Sequence, residues 1–391
     1  NTVNLQKGDK VGPWTICGKL GEGAYGAVYS GDILLVSINE AVCDSLGNVE
    51  YALKVAPISK NKKKNQAAIL IQHERTIQRI RLDSFRKDYN GNCLYLYPLV
   101  EVCHFPRSSK PVKDLICGTS DDGKIQYLAM EKFNLGLTDY LRQWGGALPP
   151  QLVYSIAAQS VRCLALISRI AIIQLLHRKC VIYNDIKVDN FMLRERPEGY
   201  QLVIVDMGAA EVYAPSSREF RLGKQQEILD SNGPRGTPLF TSINSNREGK
   251  MYFSDDMSSL GYMFAYLLLG SLPWGKCKSE EEILKQKEEC VIDASLDRFP
   301  ELLSFIKAFR TATTDQIAYA KWIDAFMAAA KRIDPSTDTR FLPKSQTQSA
   351  KSAQPSQSAK RVKTAQLNNH HNHHNHHNHH NHHNQRNRQS V

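Results

Sequence analysis

The sequence predicts an α+β protein with two lobes: a small β-rich N-terminal lobe with one main helix, and a larger, mostly α-helical C-terminal lobe. Alternating apolar residues between glycine turns characterise the start of the chain, whereas helical apolar periods dominate residues 151–332. The chain has 391 residues, 42% of them hydrophobic, so it can bury a large core. We assign residues 1–13 to an N-terminal extension, 14–131 to the first lobe, 132–334 to the second lobe and 335–391 to a disordered tail.

A glycine-rich turn joins the first two predicted strands, 14–19 and 27–36. It has the form G-x-G-x-x-G-x-V, and we predict that it binds the nucleotide with Gly21, Glu22, Gly23, Gly26 and Val28. Glycines let backbone N–H groups close over phosphates, and Val28 would pack on adenine. A lone G-x-G-x-x-G also occurs in dinucleotide-binding turns, but those open a helix and this one opens a strand. A simple hairpin turn is the alternative.

Lys54 lies in the alternating strand 51–55, among apolar residues. An unpaired ammonium there would be costly, so Lys54 needs an anionic partner. The next helical period carries Glu74, 20 residues later. We predict a Lys54–Glu74 ion pair, with ATP phosphates as the other partner of the lysine. The alternative is that Glu74 is an ordinary residue of the helix surface.

The strand 127–131 and the connection 132–139 are predicted to border the adenine of a nucleotide. The residues we place there are Ala52, Met130, Glu131 and Phe133, the last two acting through their backbone groups. A Met in a strand is more often plain core, and this remains the alternative for Met130. We also predict a strand at 95–102 and an exposed loop at 106–114.

The chemistry is concentrated in residues 181–193, which place Asp185, Lys187 and Asn190 at the offsets D-x-K-x-x-N. A further carboxylate, Asp206, follows the apolar strand 202–205. Phosphoryl transfer needs a carboxylate beside the acceptor hydroxyl (Asp185) and a cation at the γ-phosphate (Lys187). Mg²⁺ needs hard oxygen ligands, which Asn190 and Asp206 supply. The pattern therefore predicts transfer of phosphate from MgATP.

Helical patterns occupy most of the second lobe. The first spans 151–178 and would be about 40 Å long at 1.5 Å per residue, so its Ile-rich segment 167–174 looks like an insertion of about two turns. It could be a real extension, a broken helix or an error in the gene model. A buried, N-capped helix starts at Ser254, and its Asp256 can anchor backbone N–H groups of the catalytic loop. Three more helices are predicted at 280–289, 299–310 and 316–332.

Composition limits the partners and the compartment. Of the net charge of +11, the acid-free stretch 343–391 carries +7, so a dedicated nucleic-acid surface on the folded part is not favoured. Nine cysteines without a C-x-x-C pair suggest a reducing compartment. With no leader and no apolar run of 18 residues, we expect a monomeric protein of the cytoplasm or nucleus, or both, without membrane association.

Three segments make the chain similar to eukaryotic protein kinases, and specifically to the casein kinase 1 family. Residues 241–244 read Thr-Ser-Ile-Asn, where most protein kinases have Ala-Pro-Glu, and 254–274 and 189–193 also resemble that family. The resemblance covers residues 14 to about 330. It implies the bilobal protein kinase fold and phosphorylation of Ser/Thr hydroxyls on protein substrates with MgATP. The roles argued above would then fall to Lys54, Glu74, Asp185, Lys187, Asn190 and Asp206.

Four departures from the family pattern affect the functional prediction. Tyr183-Asn184 replaces the usual His-Arg, so activation by loop phosphorylation is not expected. Met207 replaces Phe and keeps an apolar contact. Leu239 replaces an Arg, and residues 280–282 are all Glu where the family has a basic cluster. Because those cations would bind acidic or pre-phosphorylated substrates, that preference is in doubt.

Two alternatives to an active kinase follow from the sequence. The first is a pseudokinase or scaffold, suggested by Tyr183-Asn184 and the inserted segment, although every group that touches phosphate or Mg²⁺ is present. The second places function in the tail, as a targeting, metal-responsive or autoinhibitory segment. The tail contains Asn-His-His repeats at 369–384, a composition that favours disorder over a metal site.

Overall fold

The structure is a computed structural model that describes residues 3–23, 26–33, 51–58, 66–77, 117–161, 163–165, 168–170, 172–178, 181–212, 236–247 and 251–344. The strand predicted at 95–102 and the loop predicted at 106–114 lie outside these residues, as does the tail from 345 onward.

In the residues that the structure describes, the N-terminal lobe has a six-stranded antiparallel sheet with a helix against it. Its strands, in chain order, are β1 (Lys10–Val11), β2 (Trp14–Gly23), β3 (Gly26–Ile33), β4 (Tyr51–Pro57), β5 (Cys117–Thr119) and β6 (Ile125–Glu131). The spatial order is β1-β2-β3-β4-β6-β5. Helix α1 (Gln66–Ile77) packs on β4 and β6, because apolar residues such as Ile71 face the sheet and are buried.

The residues assigned to an N-terminal extension belong in part to this lobe. Strand β1 pairs with β2, and Val11 is fully buried. The hydroxyl of Tyr29 donates to the carbonyl of Val3 (2.9 Å) and accepts from the backbone N–H of Leu5 (3.2 Å). The lobe therefore begins before Trp14, since the sheet gains an edge strand from the segment that precedes it.

The C-terminal lobe is mostly helical, and the predicted two-lobe α+β fold is confirmed. Its helices are α2 (Leu137–Gln143), α3 (Pro150–Val161), α4 (Ile172–Arg178), α5 (Ile243–Asn246), α6 (Phe253–Leu269), α7 (Glu280–Glu288), α8 (Pro300–Phe309) and α9 (Tyr319–Ile333). Its short strands are β7 (Leu135–Gly136), β8 (Cys163–Ala165), β9 (Ser168–Ile170), β10 (Val181–Ile182), β11 (Phe191–Arg196), β12 (Gly199–Ile204) and β13 (Glu211–Val212).

Helix α6 is the centre of this lobe. It is apolar on most sides, and it ends at Gly270, whose φ of 75° suits a residue without a Cβ. Phe264 lies 6.0 Å from Phe305 and 5.9 Å from Phe326, measured between ring centroids, so α6, α8 and α9 share one aromatic core. Asp256, near the start of α6, is buried and lies beneath the catalytic loop. The core therefore fixes the position of this carboxylate.

The pattern at 151–178 does not form one helix. Helix α3 ends at Val161, strands β8 and β9 pair with each other, and helix α4 resumes at Ile172. Ile170 lies in β9, whereas Ile172 and Ile173 lie in α4, so the Ile-rich segment is divided between a strand and a helix. The broken-helix alternative is therefore the one that the structure adopts. The segment after the break keeps its place in the lobe, because His177 in α4 contacts Asp256.

Residues 335–344, assigned to the tail from sequence, lie against the C-terminal lobe. Leu342 is fully buried and forms an antiparallel bridge with Tyr200. The hydroxyl of Tyr140 donates to the carbonyl of Pro343 (3.2 Å), and the hydroxyl of Ser155 donates to the carbonyl of Asp338 (3.2 Å). The lobe thus extends beyond residue 334, because apolar side chains of this segment find a buried site that periodicity does not reveal.

We expect Leu342→Ala to lower the free energy of unfolding by about 2–5 kcal/mol, the usual cost of emptying a buried leucine site. The measurement is chemical denaturation of the full chain. Leu20→Ala is the matched control, since Leu20 is 48% exposed and its truncation should change stability by less than about 0.5 kcal/mol. Equal effects of the two substitutions would show that the segment 335–344 does not stabilise the lobe.

Candidate active site

The loop between β10 and β11 gathers the three polar residues of D-x-K-x-x-N around one carboxylate. Lys187 Nζ lies 2.6 Å from Asp185 Oδ2, and Asn190 Nδ2 donates to the same oxygen at 3.1 Å. Asn190 Nδ2 also donates to the backbone carbonyl of Asp185 at 2.8 Å. The side chain of Asp185 is only 11% exposed. The loop therefore presents a single carboxylate with its orientation fixed from two sides.

Thr237 completes this arrangement and was not predicted from the sequence. Its hydroxyl donates to Asp185 Oδ1 at 2.9 Å, so both carboxylate oxygens are engaged. The preceding residue, Gly236, has a φ of 87°, and a Cβ there would lie 2.3 Å from the carbonyl oxygen of Asn184. Glycine is thus required for the close approach of the two loops. The Gly-Thr-Pro run was the available signal, but nothing in it indicated the distant Asp185.

The predicted ion pair between Lys54 and Glu74 is present. Lys54 Nζ lies 2.9 Å from Glu74 Oε2 and 2.7 Å from Asp206 Oδ1, so the ammonium bridges two carboxylates. Glu74 is fully buried, and its Oε1 accepts from the backbone N–H of Met207 at 3.2 Å. Burial alone would lower the pKa of Lys54, but attraction by Glu74 and Asp206 outweighs it and raises the pKa. Lys54 is therefore charged, and it connects the two lobes.

Asp206 is held in a left-handed backbone conformation, with a φ of 64°. Its Oδ1 accepts from Lys54 and from the backbone N–H of Gly208 at 3.0 Å. Burial tends to raise the pKa of Asp206, but Lys54 reverses this and lowers the pKa. The side chain is still 34% exposed. A charged, partly accessible carboxylate of this kind can take a hard cation.

Asn190 lies next to Asp206, because the backbone N–H of Val205 donates to the carbonyl of Asn190 at 2.9 Å. An amide and a carboxylate fit the oxygen preference of Mg²⁺. Among the described residues, no group of three or more His, Cys, Asp or Glu could hold a metal ion. A Mg²⁺ at Asn190 and Asp206 would thus draw its other ligands from phosphate oxygens and water.

The residues predicted to bind nucleotide follow the strands of the N-terminal lobe. Gly21 pairs with Val28, and Val28 pairs with Lys54, so the glycine-rich segment lies beside the lysine. Glu22, Gly23 and Gly26 occupy the ends of β2 and β3, with Glu22 opposite Ala27 and Gly23 opposite Gly26.

The positions predicted for adenine are likewise neighbours. Ala52 pairs with Met130 and Tyr51 pairs with Glu131, at the end of β6 that leads into the second lobe. Phe133 follows two residues later, with the Arg194 guanidinium 5.6 Å from its ring centroid. Ala52, Met130 and the glycine-rich segment therefore lie on neighbouring strands of one sheet, and the binding roles of all these residues stay predictions.

A family model for the protein kinase domain matches residues 109–371, more than half of the chain. The chain belongs to the protein kinase family. The match includes Asp185 and Asp206 but starts after Lys54 and Glu74, so the ion pair in the structure supports the kinase assignment independently.

Two curated kinases are similar to the chain. A probable serine/threonine-protein kinase of Dictyostelium discoideum is 24% identical over 303 residues, covering 77% of this chain and 50% of that protein. Casein kinase I homolog 2 of Schizosaccharomyces pombe is 26% identical over 260 residues, covering 61% of this chain and 58% of that protein. The chain thus spans about half the length of these relatives. The resemblance to casein kinase 1 agrees with the second of them.

The kinase departs from the family pattern at Tyr183 and Asn184, and the structure gives each a local role. Tyr183 is buried, and its hydroxyl donates to the carbonyl of Val205 at 2.5 Å. Burial raises the pKa of Tyr183, so the hydroxyl stays protonated. Asn184 has a φ of 68°, and its Nδ2 donates to the carbonyl of Ala209 at 3.1 Å. Both residues therefore hold the catalytic loop to the segment around Asp206 without a cation.

Asp256 anchors the catalytic loop of the kinase as predicted. Its Oδ2 accepts from the backbone N–H of Tyr183 at 2.7 Å, and its Oδ1 accepts from that of Asn184 at 2.9 Å. His177 Nε2 lies 3.0 Å from the same Oδ2, and its ring stacks on Phe253 at 4.3 Å. One buried carboxylate thus fixes the backbone of the two residues that precede Asp185.

We expect Asp256→Ala to lower turnover about 10²-fold, because two buried N–H groups lose their acceptor and the loop that carries Asp185 is released. Binding of MgATP, measured by titration calorimetry, should change less than threefold. The contacts described above join Asp256 to His177, Tyr183 and Asn184, none of which we assign to MgATP. Asp324→Ala, an exposed residue of α9, is the control. Unchanged turnover in Asp256→Ala would refute the anchoring role.

Among the described residues, no helix is long and apolar enough to cross a membrane.

Proposed function

We propose that the chain is an ATP-dependent protein serine/threonine kinase of the casein kinase 1 type. The observation that carries the proposal is a pair of side-chain clusters, Asp185 with Lys187 and Thr237, and Lys54 with Glu74 and Asp206. The backbone hydrogen bond from Val205 to Asn190 joins the two segments that carry them. Every group that phosphoryl transfer requires has a partner that orients it. The similarity to a casein kinase I homolog supports the finer class.

In the proposed reaction, Asp185 Oδ1 or Oδ2 accepts the proton of the substrate hydroxyl as the hydroxyl oxygen attacks the γ-phosphorus of ATP. The bond between the γ-phosphorus and the β,γ-bridging oxygen breaks, and ADP leaves with that oxygen. Lys187 and Thr237 keep the carboxylate directed at the hydroxyl, and the Lys187 ammonium also attracts the γ-phosphate. Lys54, held by Glu74, binds the phosphates of ATP. A Mg²⁺ at Asn190 and Asp206 would neutralise the charge that develops on the phosphoryl oxygens.

The alternative is a catalytically weak pseudokinase or scaffold, suggested by the Tyr183-Asn184 replacement. In the structure these residues bind neighbouring backbone carbonyls, at Val205 and Ala209, and leave Asp185 in contact with Lys187. Tyr183 and Asn184 therefore replace the Arg that would bind a phosphorylated loop, and they leave the proposed base, Asp185, in place. We accordingly favour an active kinase that does not depend on phosphorylation of its own loop.

The test is transfer of labelled γ-phosphate from MgATP by the full chain to peptide sets that differ only in Ser, Thr or Tyr at the acceptor position. We expect phosphoserine and phosphothreonine. A parallel set carries an upstream carboxylate, an upstream phosphoserine or neither. It measures whether the kinase still prefers acidic or pre-phosphorylated substrates although Leu239 and Glu280 stand where the family has basic residues. Labelling of Tyr alone would contradict the Ser/Thr class. No labelling by a folded protein that binds MgATP would favour the scaffold alternative.

A further inference from the structure

A buried lysine lies in an otherwise exposed or half-exposed helix of the C-terminal lobe. Of the nine residues of α7, all of them described by the structure, Lys287 alone is buried, with 1% of its surface exposed. The first turn of this helix consists of the exposed residues Glu280, Glu281 and Glu282. Nothing in the sequence of this helix predicts that Lys287 is buried. The position of Lys287 therefore needs an explanation of its own.

The contacts of Lys287 are with the loop that follows Thr237. Its Nζ donates to the carbonyls of Pro238 and Thr241, both at 2.7 Å, and to Asn246 Oδ1 at 3.1 Å. These three acceptors match the three N–H donors of an ammonium group. The same nitrogen lies 5.2 Å from the ring centroid of Tyr262 and 5.6 Å from that of Trp274. The lysine thus joins the loop to the aromatic platform beneath it.

The same loop is tied down at two more places. Trp274 Nε1 donates to the carbonyl of Leu239 at 2.9 Å. Asp255, at the start of α6, accepts from the hydroxyl of Ser242 at 2.5 Å and from Asn244 Nδ2 at 3.0 Å. The Ser-Ile-Asn residues therefore bind α6, while Lys287 and Trp274 bind the carbonyls before them. The other end of the loop is Thr237, which contacts Asp185.

Stability alone does not account for a lysine at this position. Burial lowers the pKa of Lys287 to about 7, with Glu280 acting in the opposite direction, so folding disfavours the charged form. An apolar side chain of similar length would fill the site without that cost. What an apolar side chain cannot do is bind three oxygens of the loop. The geometry favours a role in fixing the loop backbone.

We propose that Lys287 is a positioning residue for protein substrates, holding residues 237–246 so that Thr237 and Asp185 meet the acceptor hydroxyl. The inference rests on the proposed kinase activity. Lys287 contacts neither Lys54 nor Asp206, so its effect should fall on the protein substrate and not on ATP.

The test compares Lys287→Met with Lys285→Met in the full chain. Lys285 lies on the same helix, its side chain is 74% exposed, and its Nζ lies 3.9 Å from a carboxylate oxygen of Glu289, so it is a matched control. For Lys287→Met we expect the KM for a Ser/Thr peptide to rise about tenfold, with the KM for ATP changed less than twofold. Asn246→Ala removes one of the three acceptors and should raise the peptide KM by about two- to fourfold. Lys285→Met should match the wild type.

Hydrogen exchange of peptides covering 236–247 gives a readout that does not depend on activity. Faster exchange there in Lys287→Met, with unchanged exchange in β4 and α1, would show that Lys287 holds residues 237–246, even if no phosphate transfer is found. An inactive wild type would thus count against the kinase proposal and leave this one testable. Unchanged exchange, or an equal rise of both KM values in Lys287→Met and Asn246→Ala, would overturn the inference.

Discussion

Asp185→Asn is expected to lower kcat about 10³-fold while leaving MgATP affinity within about threefold of the wild type. The amide keeps the shape of the side chain but cannot accept the hydroxyl proton, and base catalysis is worth about 10²- to 10⁴-fold. It also loses the ion pair with Lys187, which lies 2.6 Å away. Because Lys54, which we assign to the ATP phosphates, pairs with Glu74 and Asp206 and not with Asp185, nucleotide binding should persist. Single-turnover transfer and calorimetry measure the two effects separately.

Asp189→Asn is the control for this substitution. Asp189 lies in the same loop, four residues later, but it is exposed and accepts from the hydroxyl of Thr138 (2.9 Å). We expect its turnover to stay within twofold of the wild type. If the two substitutions had equal effects, Asp185 would not be the base.

Lys54→Met is expected to lower turnover about 10²- to 10³-fold and to destabilise the protein by about 3–5 kcal/mol. The first effect follows because the cation assigned to the ATP phosphates is lost. The second follows because Glu74, which is fully buried, loses its lysine partner, and breaking a buried ion pair leaves a charge poorly compensated. Denaturant titration measures the stability, and MgATP affinity should fall with it.

Lys124→Met provides the comparison within the same lobe. Lys124 is 77% exposed and pairs with Asp122 at 3.0 Å on the surface, where an ion pair contributes at most about 1 kcal/mol. Its substitution should leave both activity and stability nearly unchanged. A Lys54→Met protein as stable as Lys124→Met would mean that the Lys54–Glu74 pair does not hold α1 against the sheet.

Much of the site follows from local sequence because its residues are close along the chain or have a clear physical need. The offsets of Asp185, Lys187 and Asn190 place three functional groups in one short loop, whatever the rest of the fold does. Lys54 sits in an apolar strand, so a buried anion had to be near it, and the next helix offered Glu74. The fold class follows similarly from where strand and helix periods begin and end.

What the sequence did not reveal depends on contacts between distant segments. Thr237 and Asp185 are 52 residues apart, and Lys287 is 46 residues from Thr241, so no periodicity connects them. Leu342 was hidden in a polar segment, and its burial depends on the bridge to Tyr200. The break after Val161 was ambiguous, because an Ile-rich run fits both a helix and a strand.

The most direct test of the central claim is γ-phosphate transfer to a Ser/Thr peptide by the wild-type chain and by Asp206→Asn, with MgATP binding measured in both. Asp206 is a proposed Mg²⁺ ligand and also contacts Lys54. We assign it no role in binding peptide. The account predicts transfer by the wild type that falls at least about 10³-fold in Asp206→Asn, with peptide affinity unchanged. A folded wild type that binds MgATP but transfers no phosphate, or transfer that persists in Asp206→Asn, would contradict it.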